Sequence, residues 1–242
     1  MMREKVRAAK TEINGRPVPH GLPKEELYDL LASDSMTDFV PACEALSALS
    51  DEETCDRLGA YLTHPDKYRR LAVLKVIFRD PHAVKYLPAL EEAIASEHIL
   101  FAENGLRAAY ECRMPVSDSV ILAATRRHLG ELFSLDALDL LTVSEENYRA
   151  LIEIHSLCVT SLQQEILAGI LVRKYADAHA PALFELFSAS RYPQTRLRAV
   201  ELGLRFSFDL TALRNDPDGH VRRAASTDQN ERQILNENRK DK

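Results

Sequence analysis

His155 and Cys158 lie three residues apart, so on a helix they share a face, and an imidazole beside a thiol is the pairing that generates a thiolate nucleophile. Their neighbours Leu151, Ile152, Ile154 and Leu157 are apolar, which reads instead as two side chains packed in a core. The other histidines (20, 64, 82, 98, 128, 179 and 220) are scattered, with no His pair at i,i+3 or i,i+4 and no H-E-x-x-H. A helical zinc hydrolase site is therefore not encoded. Four histidines recur near element ends, where the ring can satisfy the last carbonyls of a helix. No G-x-S-x-G surrounds a serine and no G-x-x-x-x-G-K occurs. No catalytic residue, cofactor or metal ligand is assigned.

Charge is the remaining chemistry, and it is unevenly placed. The net charge of -6 opposes phosphate binding, which rests on neutralisation by Lys and Arg. Residues 64–79 nevertheless hold Lys67, Arg69, Arg70, Lys75 and Arg79 against Asp66. Residues 131–165 hold seven acids, Glu131, Asp136 and Asp139 among them, against Arg149. Residues 191–223 hold seven arginines against four acids. Solvated faces and salt bridges between neighbouring elements account for many of these charges. The sharper reading is a surface that runs basic, acidic, basic. Lys75 and Arg79 are i,i+4; Glu131, Asp136 and Asp139 carry the acidic part; Arg198, Glu201 and Arg205 are i, i+3, i+7. Such a stripe suits a folded protein with a basic patch better than a uniform polyanion.

The elements that must position these residues read as helix after helix. Apolar residues recur at helical spacing, and few stretches alternate as strands do. Glycine is scarce, 8 in 242 residues, which disfavours turn-dense sandwiches and phosphate loops. Expected helices are 24–32, 37–49 (with Pro41 in its first turn), 50–62, 67–79, 80–95, 98–110, 117–129, 131–141, 147–157, 162–175, 179–187, 194–206, 209–214 and 219–225. Ser50 and Thr142 each open a capping-box pattern. Pro88, inside 80–95, is expected to bend its helix. Second helices of successive pairs begin near 37, 66, 98, 131, 161, 193 and 219, a period near thirty residues. Pro88-Ala89-Leu90 and Pro181-Ala182-Leu183 are a direct self-match three periods apart.

Asn215-Asp216-Pro217-Asp218-Gly219-His220-Val221-Arg222-Arg223-Ala224-Ala225 resembles the turn and second helix of a HEAT repeat. Asp66 with Arg69 and Ala72 resembles the same pattern, and Arg196 with Ala199 matches its helix half. The resemblance implies that the turn Asp and the helix Arg pair between neighbouring repeats, and that second helices line a concave groove. The expected fold is all-α: a right-handed α-solenoid of about seven antiparallel HEAT-like helix pairs over 23–226, without an internal boundary. A polar segment, 1–22, precedes it and a polar, fraying tail, 227–242, follows.

The function that follows is a non-catalytic scaffold, adaptor or inhibitor that uses the groove to hold another protein, with a monomer expected. The alternatives are a nucleic-acid-binding stack of the alkylation-repair glycosylase type, or a pigment-lyase-like enzyme or enzyme accessory. A glycosylase of that kind needs an aromatic cradle with tryptophans, and this chain has no Trp. No apolar run nears the roughly 20 residues of a membrane span, and the charged N-terminus shows no secretory signal. Four widely spaced cysteines read as free thiols of a cytoplasmic protein.

Overall fold

The computed structural model describes residues 12–13, 16–17, 21–131 and 135–226, so the expected tail 227–242 and most of segment 1–22 lie outside the described residues. The protein is all-α. Its only extended pairing among the described residues is a two-residue antiparallel ladder, Glu12–Ile13 with Arg16–Pro17. The chain gathers into two compact units, residues 1–127 and 128–242.

The first unit holds α1 (Lys24–Ala32), α2 (Met36–Ser47), α3 (Glu52–Gly59), α4 (Lys67–Leu74), α5 (Leu87–Ala95), α6 (Ile99–Cys112) and most of α7 (Asp118–His128). Helix α1 packs on α2 and α5 on α6, while α4 touches both α2 and α6, so α2, α4 and α6 lie side by side. Phe39, Leu46, Val73, Ile77, Leu90 and Ile94 are completely buried there. The second unit holds a 3₁₀ turn (Asp136–Leu140), α8 (Glu145–Leu157), α9 (Ser161–Ser188), α10 (Pro193–Phe206), α11 (Thr211–Arg214) and α12 (219–226). Helix α9 is its spine, packed against the 3₁₀ turn, α8 and α10. Leu151, Ile154, Leu171, Leu183 and Phe187 fill the core between them.

Several expected elements differ, for local reasons. Helix 67–79 stops at Leu74 and resumes as a 3₁₀ turn, Ile77–Arg79. The break at Val76 (φ -122°) lets Val73, Leu74, Val76, Ile77 and Phe78 all be buried, which one straight α-helix could not do. Asp136–Leu140 form a 3₁₀ turn in place of an α-helix. Leu135, Leu138 and Leu141 recur every third residue, the period of a 3₁₀ helix, and all three are buried. Residues 132–134 of the expected helix 131–141 lie outside the described residues.

Pro88 does not bend a long helix: a 3₁₀ turn, Pro81–Tyr86, ends before it, and the proline enters the first turn of α5. Pro181 does the same after His179, whose φ -128°, ψ 18° interrupts α9, much as Tyr86 (φ -96°, ψ 14°) precedes Pro88. Leaving helical geometry two residues early removes the clash with the carbonyl four back and places the missing N–H where none is needed. Pro41 sits in the second turn of α2, not the first, because that helix starts at Met36. The N-caps are shifted from the expected frames as well. Asp51, not Ser50, accepts from Thr54 N, and Ser144, not Thr142, accepts from Asn147 N. Ser50 instead takes a left-handed φ of 53°.

A recurrent bond ties several hairpins to one about thirty residues away. The last carbonyls of a helix have no partner within it. Arg69 donates to the Ser33 carbonyl at 2.6 Å, Gln163 to Leu129 at 2.7 Å, Lys174 to Leu141 at 2.6 Å and the Tyr192 hydroxyl to Val159 at 2.6 Å. Tyr61 donates to Leu31 at 3.1 Å, and Arg127 to Ala95. The sequence separations run from 30 to 36. His64 and His98 lie near element ends and act at the start of a helix, not at its last carbonyls. Their Nδ1 atoms accept from Asp66 N (3.0 Å) and Leu100 N (3.3 Å), which fixes the tautomer with the proton on Nε2.

Candidate functional site

The expected site residues divide between the units. Lys75 and Arg79 belong to the first. Lys75 caps the C-terminal end of α4 and is exposed, with no ion pair among the described residues. Arg79, on the 3₁₀ turn that follows, reaches back to Glu44 of α2 at 2.8 Å. The two basic residues therefore do not extend one helical ridge, because the break at Val76 separates them.

Glu131, Asp136, Asp139, Arg198, Glu201 and Arg205 belong to the second unit. Glu131 is exposed beside His128, with 3.9 Å between Oε1 and Nδ1. Asp136 and Asp139 stand one 3₁₀ turn apart and are half-buried, on the side of the turn away from the three leucines. Asp139 accepts from Arg173 of α9 at 3.1 Å. On α10, Arg198 donates to Glu201 at 2.9 Å, and Arg205 reaches Asp177 of α9 at 2.6 Å.

Two residues that sequence reasoning missed, Arg173 and Asp177, hold this surface together. They are i,i+4 on α9 and continue the line of Gly169. A methyl group at Gly169 would lie 3.4 Å from Arg173 Nη1 and 3.9 Å from Arg198 Nη2, so the two guanidinium groups converge above bare backbone. The result is a row of three ion pairs across three neighbouring elements: Asp139 with Arg173, Arg198 with Glu201, and Asp177 with Arg205. Arg173, Arg198, Glu201 and Arg205 keep between 39% and 60% of their side-chain surface in solvent. The acidic stretch thus meets arginines from the next helix instead of standing as a bare block. The i,i+4 spacing of Arg173 and Asp177 was the signal available in the sequence.

Arg196 and Asp216 form a different kind of pair. Both are buried, and Arg196 Nε and Nη2 donate to the two carboxylate oxygens at 2.7 and 2.8 Å. These bonds hold the Asp216 carboxyl below the usual range and raise Arg196. Nη1 of Arg196 also caps the Ser190 carbonyl at 2.8 Å. This is an internal rivet that joins α10 to the turn before α12. Asp216 also accepts from the Asp218 amide at 2.8 Å.

The His155 and Cys158 side chains lie in the core, 3% and 4% exposed. Burial pushes the imidazole down to about 4 and the thiol up to about 11, so at neutral pH the first is uncharged and the second protonated. Cys43 and Cys55 are buried and Cys112 is half-buried, all as free thiols. Among the described residues no group of three His, Cys, Asp or Glu side chains could hold a metal ion, and no helix is long and apolar enough to cross a membrane. No family model matches this chain, and neither a curated protein nor a solved structure matches it.

Proposed function

We propose that the helical hairpins are HEAT-like repeats, about seven in all and wound as a right-handed α-solenoid, and that the protein is a non-catalytic interaction module. Two observations support the repeat reading. The carbonyl ties recur at separations of 30 to 36 residues, near the period of the sequence. The Arg196–Asp216 pair joins a second helix to the next turn, as the resemblance implies.

The observation that carries the functional reading is the row of ion pairs on α9, α10 and the 3₁₀ turn. Exposed ion pairs of this kind contribute only about 0–1 kcal/mol each to stability. A largely exposed row of paired charges is suited instead to setting register and selecting a partner by complementary charge. The partner is a folded protein whose basic patch faces Asp136 and Asp139 and whose acids face Arg198 and Arg205.

Exchanging the members of one pair, Asp139→Arg with Arg173→Asp, preserves the internal bond while it inverts the pattern shown to a partner. Purified wild-type and exchanged proteins are used as baits in the same native extract. A protein retained by the wild type and reduced at least tenfold on the exchanged form, with thermal unfolding unchanged, is the expected result. Equal retention by both baits, or nothing retained by the wild type, refutes the reading.

A further inference from the structure

The first unit carries a surface that is independent of the row of ion pairs in the second. Lys24, Arg57, Arg69, Arg79, Lys85 and Arg107 of that unit each reach a carboxylate. Lys67, Arg70 and Lys75, all from α4 and its C-terminal cap, reach none among the described residues. The Arg70 guanidinium lies over the Phe101 ring of α6, 5.1 Å from its centre, so the N-terminal ends of α4 and α6 adjoin. Lys67 and Lys75 stand in solvent.

Lys67, Leu71 and Lys75 recur every fourth residue and form one ridge of α4, with Leu71 half-buried between the two exposed lysines. Tyr68 lies beside this ridge and is 58% exposed, with Lys67 Nζ 5.1 Å from its ring centre. Leu100, 46% exposed, holds the same place in α6 as Tyr68 in α4, two residues after the N-cap. Two large apolar side chains therefore stand exposed at adjoining helix ends, next to a row of cation, aliphatic and cation.

Eight residues of helix set the two lysine backbones about 12 Å apart. That exceeds the roughly 8 Å over which physiological salt screens charge, so each ammonium group attracts an anion of its own. A helix with Glu, Leu and Glu at i, i+4 and i+8 repeats the same spacing. Its carboxylates meet the two lysines, and its leucine packs between them. A nucleic acid carries a phosphate at every step, so one of them would fall on Leu71.

We infer that the solvent face of α4, extended by Leu100 of α6, docks an acidic amphipathic helix of another protein. Lys67 and Lys75 take its carboxylates, and Tyr68, Leu71 and Leu100 take its apolar side chains.

The test uses the whole protein and capped, alanine-based helical peptides of about 17 residues, long enough to hold helical structure in water. The first peptide carries the Glu, Leu, Glu row; the second has Lys for both Glu, and the third has Ser for Leu. Oligothymidylate of similar length is the fourth probe. By fluorescence anisotropy the first peptide should bind with a Kd on the order of 100 µM, and the other three probes at least tenfold more weakly. The double variant Lys67→Glu, Lys75→Glu should lose at least tenfold for the first peptide and gain affinity for the lysine peptide, a gain that a misfolded variant could not show. Tyr68→Ser should weaken the first peptide about fivefold. The Asp139→Arg, Arg173→Asp exchange should bind it as the wild type does, so this result stands apart from the reading of the second unit. The inference fails if the first peptide does not bind at about 1 mM, if the lysine peptide binds as well, or if the double charge reversal leaves its affinity unchanged. Equal or tighter binding of oligothymidylate assigns the face to nucleic acid and overturns it.

Discussion

His155 shows how a residue type that suggests chemistry can be committed to packing. Its ring lies 5.5 Å from the Phe187 ring, and its Nε2 is buried with no partner. Protonation would place a charge where nothing receives it, hence the depression to about 4. Between the ordinary value near 6.5 and about 4, the unfolded chain binds a proton that the folded chain refuses. Stability should therefore be intact above pH 6.5 and fall as the pH drops through that window, by up to about 3 kcal/mol. Urea midpoints measured from pH 7.5 to pH 4 should show this slope in the wild type and a much flatter one in His155→Leu. At lower pH Asp216 adds a second loss, because its carboxyl, depressed by Arg196, must take a proton to unfold. The core placement of His155 and Cys158 was legible from their apolar neighbours. The pairing of Asp139 with Arg173 was not, because it depends on which faces of two separate elements meet.

At the scale of elements, glycine scarcity has a visible effect on how helices end. Arg113 (φ 53°) and Ser207 (φ 60°) take the left-handed position after α6 and α10, a place usually given to glycine. The next amides, Met114 and Phe208, close the motif on Ala109 and Gly203 carbonyls at 3.0 Å. A side chain in that region carries a steric cost, so Ser207→Gly should raise stability by up to about 1 kcal/mol. An increase in the denaturant midpoint without a change in slope would establish it, and a decrease would show that Ser207 is not strained. Most helix positions were legible from apolar spacing, with ends such as 24–32 and 193–206 close to the expected ones. Two of the misread elements share a cause. In 135–141 and 75–79 the apolar residues are so dense or so regularly every third that an α-helix cannot bury them all, and the backbone tightens or breaks to follow them. The caps at Asp51 and Ser144 were each misplaced by one or two residues, because adjacent Ser, Thr and Asp compete for the same role.

At the scale of the whole molecule, the ties between hairpins make stability a matter of neighbours. Arg69 illustrates this: besides holding the Ser33 carbonyl, it lies 4.8 Å from the Phe39 ring and within 4.0 Å of Asp34 and Asp66. Arg69→Met should cost about 1–3 kcal/mol, concentrated in the hairpins it joins. Native-state hydrogen exchange should then accelerate roughly tenfold or more in α1 and α2 while amides of α9 and α10 keep their protection. A uniform acceleration throughout the chain would mean that the lesion is not local.

The same ties bear on how such a chain can change over time. Their acceptor is always a main-chain oxygen, which every residue supplies, and their donor is variously Arg69, Gln163, Lys174 or Tyr192. Any long side chain with a proton to give can therefore replace another at the seam. Neighbouring hairpins are thus free to differ in sequence at the seam while the distance between joined positions stays nearly fixed, at 30 to 36 residues.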